Sequence, residues 1–155
     1  MSQFSSGNAS FTPTASTTTL NSWVLTTLTV GQVAQIKKYS MGGAGTTSLG
    51  YQTRWARVNN TAATPTALLI AATNPITVPL ATCNTYATPA TGVAANNLDQ
   101  MDWNIVGGGM QIVLPNGGEW LIVGGALGTA FNQIGCGNVT GVDANLSSYS
   151  VQWIE

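Results

Sequence analysis

The sequence predicts an all-β fold, an antiparallel β-sandwich of about eight strands with almost no helix. Three observations predict it. Charged residues make up 6% of the chain, against about 25% in ordinary soluble domains, and Thr, Ser, Asn, Gln and Gly take their place as the water-facing residues. Thr suits strands, because its branched Cβ packs on a pleated surface. Helix surfaces favour Glu, Lys, Gln and Arg, which are scarce here apart from some Gln. Short segments of alternating polarity recur about a dozen residues apart, the pattern of sandwiches and barrels.

The 155 residues fit one domain, large enough to bury a core without staples. Residues 1–19 form a Ser/Thr/Asn-rich arm with two apolar anchors, Phe4 and Phe11, and residues 20–155 form the sandwich domain. Trp23 to Val30 reads as a strand, followed by a turn at Gly31, and Val33 to Tyr39 resumes it. Alternation in Val33 to Tyr39 is imperfect, which suits an edge or interface strand. Lys37 and Lys38 there either guard the edge against stray pairing or contact a partner. Met41 to Ser48 is a Gly-rich loop without the Lys or the following helix of a phosphate cradle.

Tyr51 to Val58 alternates well, with Tyr51, Thr53, Trp55 and Arg57 on one face and Gln52, Arg54, Ala56 and Val58 on the other. Asn59-Asn60 turns the chain. Pro65, Pro75, Pro79 and Pro89 keep any strands in the next stretch short, leaving Ala67 to Ala72 and Ile76 to Leu80 as candidates. Asn96 to Gln100 reads as one helical turn. Met101 to Val106 is a strand bent by Gly107 to Gly109. Met110 to Leu114 and Glu119 to Val123 read as a hairpin, because the Asn-Gly of Pro115-Asn116-Gly117-Gly118 suits a tight turn. Gly124 to Gly141 is a Gly-rich crossing. Ser147 to Glu155 alternates, with Tyr149, Val151 and Trp153 opposite Ser148, Ser150, Gln152 and Ile154. Eight strands in two sheets is the count of a jelly roll.

The same composition excludes several functions. There is no His, so Ser-His-Asp, Cys-His and His-metal chemistry lack their base or ligand. Asp99 and Asp102 lack the spacing of a calcium loop, and no cofactor or metal is expected. Four Lys and Arg cannot track nucleic-acid phosphates. No apolar run is long enough for a membrane helix, and Met1 to Phe11 lacks the pattern of a signal peptide. The N-x-Ser/Thr triplets at Asn8, Asn59, Asn138 and Asn145 read as chance. Cys83 and Cys136 are thiols in a reducing cytosol, although spacing does not exclude a bridge. The five Trp sit in predicted strands, where they fill a core or an interface; a sugar platform is the alternative.

A chain with so few charges and a net charge of −1 associates readily, which points to a structural or binding module inside an assembly. All the basic residues lie between positions 37 and 57, and the acids begin at Asp99. The two groups can pair within one subunit or between different faces of neighbours in a ring. Arg54 and Arg57 beside Trp55 have the chemistry of interface hot spots.

The order of segments resembles that of small tailed-phage structural proteins. A Ser/Thr-rich arm (Ser16 to Leu20) leads to a basic-aromatic strand (Gln35 to Tyr39) and a Gly-rich loop (Gly42 to Gly45). A Tyr51 to Val58 strand follows, then a Pro-x-Gly-Gly-Glu turn (Pro115 to Glu119) and a last strand ending at an acid (Ser148 to Glu155). The resemblance implies a jelly-roll capsid decoration, or cement, protein. It would form a homotrimer, bind the major capsid protein on the virion exterior, and be made in the host cytoplasm. A receptor- or carbohydrate-binding head of a phage fibre or tail is the alternative. The candidate contact residues are Phe4, Phe11, Lys37, Lys38, Arg54, Trp55, Arg57, Asp102, Glu119 and Glu155.

Overall fold

The computed structural model describes residues 1–11, 23–26, 29–43, 50–58, 65–86, 92–104, 106, 109–124, 133–140 and 147–155. Within them the chain is all-β, with two antiparallel sheets packed together as a β-sandwich. The strands are β1 (Gln3–Phe11), β2 (Trp23–Thr26), β3 (Val33–Gly43), β4 (Gly50–Val58), β5 (Pro65–Ala67), β6 (Ile70–Ala72), β7 (Thr82–Tyr86), β8 (Gly92–Asn104), β9 (Met110–Val113), β10 (Trp120–Val123), β11 (Gln133–Thr140) and β12 (Ser147–Ile154). The first sheet has the order β10-β3-β12-β1-β6, with β9 also on β3; the second has the order β5-β7-β2-β11-β4-β8.

The described residues thus hold twelve strands where the sequence predicts about eight. Much of the difference lies in three places. The predicted arm is strand over Gln3–Phe11, paired with β12 on one side and β6 on the other. The Gly-rich crossing contains β11, which lies between β2 and β4. The stretch before β7 switches sheets, with β5 pairing β7 and β6 pairing β1. The predicted helical turn at Asn96 to Gln100 is part of β8. Ile76 to Leu80, which leaves a turn closed by the Thr77 N–H on the Asn74 carbonyl, forms no strand among the described residues. Residues 12–19, 44–48, 59–60, 107–108 and 145, which carry other expectations, lie outside the described residues.

The predicted hairpin takes another form. β9 and β10 do not pair with each other; both pair with β3, end to end along the same side. Val113 lies opposite Lys38 and Trp120 opposite Ile36, so the residues between them loop out opposite Lys37. The Gly118 N–H donates to the Pro115 carbonyl at 2.9 Å, and Gly117 has φ 87°. Gly117 is the third residue of that turn, where a type II turn needs positive φ. Lys37 is also the extra residue against β12, where the register slips between Gln152 and Trp153. This β-bulge accounts for the broken alternation of β3, because Ile36 and Tyr39 both reach the core.

The core is aromatic. Trp55, Trp153, Tyr39, Tyr149 and Phe4 are its largest fully buried side chains. Tyr39 and Trp120 stack at 4.8 Å, and Trp55 lies 4.9 Å from Tyr39 and 6.0 Å from Trp120. Phe4 stacks on Trp153 at 5.8 Å. Each such ring removes a large apolar area from water, and such ring pairs add about 0.5–1.5 kcal/mol beyond burial.

Candidate functional site

The two sheets use their outer faces differently. On the second sheet, Thr26, Arg54, Ala56, Val58 and Gln133 point away from the aromatic core, yet all are buried. On the first sheet, the outer face is open. Its middle is built from Gln3, Ser5, Ser40, Gln111, Ser150 and Gln152, placed there because their neighbours Phe4, Tyr39, Val151 and Trp153 turn inward. Ser40 and Ser150 share a hydroxyl hydrogen bond at 2.5 Å, and the Gln3 amide donates to the Gln152 amide oxygen at 3.4 Å. The bulge turns Lys38 onto the same face, opposite Val113. This broad, polar Ser/Gln face, which carries the charge of Lys38, is the candidate interaction surface.

The chain's few charges are mostly committed to its own fold. Lys37 forms an ion pair with Glu119 across the looped-out segment. The other Glu119 oxygen, Oε2, accepts from the Gly117 N–H at 2.7 Å. The hydrogen bond from Lys37, followed by backbone N–H donors, holds the Glu119 carboxyl below its usual range. The Tyr39 hydroxyl, on the first sheet, donates to the Asp99 carboxylate on the second. Burial, then the bond to Asp99 and its charge, pushes the phenol pKa far up, so it stays a donor. The Arg57 guanidinium crosses between the sheets to the Leu121 carbonyl at 2.9 Å. The Glu155 carboxylate accepts from the Leu80 and Ala81 N–H groups at 2.7 and 2.9 Å and from the Trp153 indole at 2.8 Å. Asp102 takes the Gln52 amide at 3.0 Å on the exposed side of β8 and β4.

These placements put several of the predicted contact residues inside the fold or in its internal contacts. Phe4 is a core residue at 1% exposure rather than a free anchor; Phe11 ends β1 opposite Ser147. Trp55 and Arg54 are buried within the fold. Lys37, Glu119, Arg57 and Glu155 are held by the internal contacts above. Lys38 and Asp102 keep surface positions. Asp143 lies outside the described residues.

Cys83 and Cys136 are buried thiols that are not bridged to each other. They sit on β7 and β11, the two strands flanking β2, so about two strand spacings separate their backbones, beyond the span of about 7 Å a disulfide tolerates. Burial, with the neighbouring Cys83 second, pushes the Cys136 thiol pKa up and away from reactive thiolate. Among the described residues there is no cluster of three or more His, Cys, Asp and Glu that could hold a metal ion. No helix among the described residues is long and apolar enough to cross a membrane.

Sequence reasoning found the Ser148/Ser150/Gln152 side of β12. It missed that β1 extends this side into a sheet. The Tyr39–Asp99 bond spans 60 residues and left no local signal. No family model matches this chain, and neither a curated protein nor a solved structure does.

Proposed function

We propose that this protein is a structural module of a viral particle, a capsid decoration protein that binds the outer surface of the shell as a homo-oligomer, a homotrimer by its resemblance, and stabilises it. In this reading the sandwich is a jelly roll, and the partner is the major capsid protein. The observation that carries the reading is the open outer face of the first sheet, built mostly from uncharged Ser and Gln. Exposed Ser and Gln offer hydrogen bonds without the desolvation cost of charges. Shell attachment needs no strong single contact, because many weak sites raise avidity by about 10²–10⁴. The inward use of Lys37, Glu119, Asp99, Arg57 and Glu155 leaves little charge to repel a neighbour.

The burial of Trp55 and Trp153 in the core does not favour the alternative of a carbohydrate-binding head with an aromatic platform. The test is rebinding of purified protein to shells stripped of it. Saturable binding that raises the shell's melting temperature supports the proposal. Shells that neither bind it nor gain stability contradict it.

A further inference from the structure

One end of the sandwich gathers bare aliphatic side chains. The register sets the end: β1 and β3 begin there and β10 and β12 finish there, with Gln3 opposite Ile154, Ile154 opposite Gln35, and Gln35 opposite Leu121. The turn before β3 presents Val30 at 82% exposure, and the paired strands present Val33 and Val123 at 43% and 44%. The ribbon after β6 reaches the same end. Thr73 N–H donates to the Gln3 carbonyl, the Ser2 hydroxyl donates to Thr77, and Leu80 and Ala81 donate to Glu155. The ribbon alternates: Thr77, Pro79 and Ala81 turn inward, while Ile76, Val78 and Leu80 are 88%, 76% and 55% exposed.

We infer that this apolar end is the surface through which copies of the chain associate. The inference rests on the homo-oligomer reading above and names its contact. Two arguments select a second copy as the occupant. The first is area. The exposed aliphatic side chains of this end amount to about 250–500 Å² of apolar surface by the area equivalent of their burial. One partner of a standard interface buries about 800 Å², and homodimer interfaces are about 65% apolar. The end therefore supplies half or more of the apolar share. The second is charge. The described charged side chains at this end, Glu155 and Arg57, are engaged by the chain's own backbone. Two copies, each with a net charge of −1, meet here without an opposed pair of bare charged side chains.

The test is light scattering of the full chain beside Val78→Asp and Val30→Asp, which alter the ribbon and the turn separately. The wild type is expected at a multiple of 16.0 kDa, and both variants as folded monomers with association weakened at least tenfold. Near-ultraviolet circular dichroism of the buried Trp residues confirms that they fold. Ser150→Asp, on the open face, is expected to keep the oligomer and to lose shell rebinding. A wild type that is monomeric, or folded variants that keep the wild-type mass, overturn the inference. A monomeric wild type that still binds shells, with Val78→Asp abolishing that binding, assigns the end to the shell instead, which also overturns it. An oligomer broken by these variants that never binds shells upholds the inference and defeats the decoration reading.

Discussion

The two sheets share one aromatic core and differ in what lies beyond it. The second sheet is closed on both faces through its middle: Trp55 and Ala56, neighbours on β4, are each 0% exposed although they point in opposite directions, while its outer strands expose Thr66, Thr82, Gln100 and Asp102. The first sheet is closed on one face only; along β12, Val151 and Trp153 are buried while Ser150 is exposed and Gln152 half-exposed. A sheet buried on both sides is a scaffold. A sheet with one open, mostly uncharged side offers a surface to a partner. The difference teaches which half of the molecule to perturb for stability and which for binding.

The largest expected effect comes from the core both sheets share. Trp55→Ala removes the ring that meets Tyr39, Trp120 and Tyr149 and should cost about 3–5 kcal/mol in denaturant unfolding. An overpacking pair then separates the sheets. Ala56→Leu, on the closed outer face, should cost about 1–3 kcal/mol, whereas Ser150→Val, on the open one, should stay within about 0.5 kcal/mol. Equal costs would erase the distinction between the sheets. The link between sheets comes next. Tyr39→Phe deletes the donor to Asp99 and should lose about 1.5–3 kcal/mol, the range for a bond to a charged group.

The smallest effect is local and pH-dependent. The Glu119 pKa is depressed in the fold, so its contribution is present above the ordinary carboxylate range and is lost as pH falls through the lowered folded value. Amide exchange at Gly117 and Gly118 should therefore quicken at acid pH beyond its intrinsic dependence. In Glu119→Gln the extra step should vanish. A step that persists in Glu119→Gln assigns it to another group.

This contrast also explains what the sequence made legible. Alternation is a signal only where one face is wet. β12 shows it, and its bounds and faces were readable. β11 does not, because Gln133 through Gly137 are buried on both faces and Gly135 and Gly137 read as loop. The turn at Gly31 was readable, since its φ of 90° needs glycine. The pairing of β9 and β10 was not. The local pattern identifies two strands and a turn, but only the bulge at Lys37 decides that both lie along β3. Gly124 had no sequence signal either; a Cβ there would stand 1.7 Å from the Thr29 carbonyl oxygen, which fixes the turn at the apolar end. Charge scarcity was plain in the sequence. That most charges are spent internally was not, because their partners are distant in the chain.

The most direct test of the open face uses Lys38, which lies on it and has no acidic partner among the described residues. Amine-reactive labelling, read by mass spectrometry, compares the free protein with the native particle, and Lys37, held by Glu119, serves as the internal reference. The account predicts that Lys38 reacts in the free protein and is protected in the particle while Lys37 changes little. Equal labelling of Lys38 in both states would contradict it.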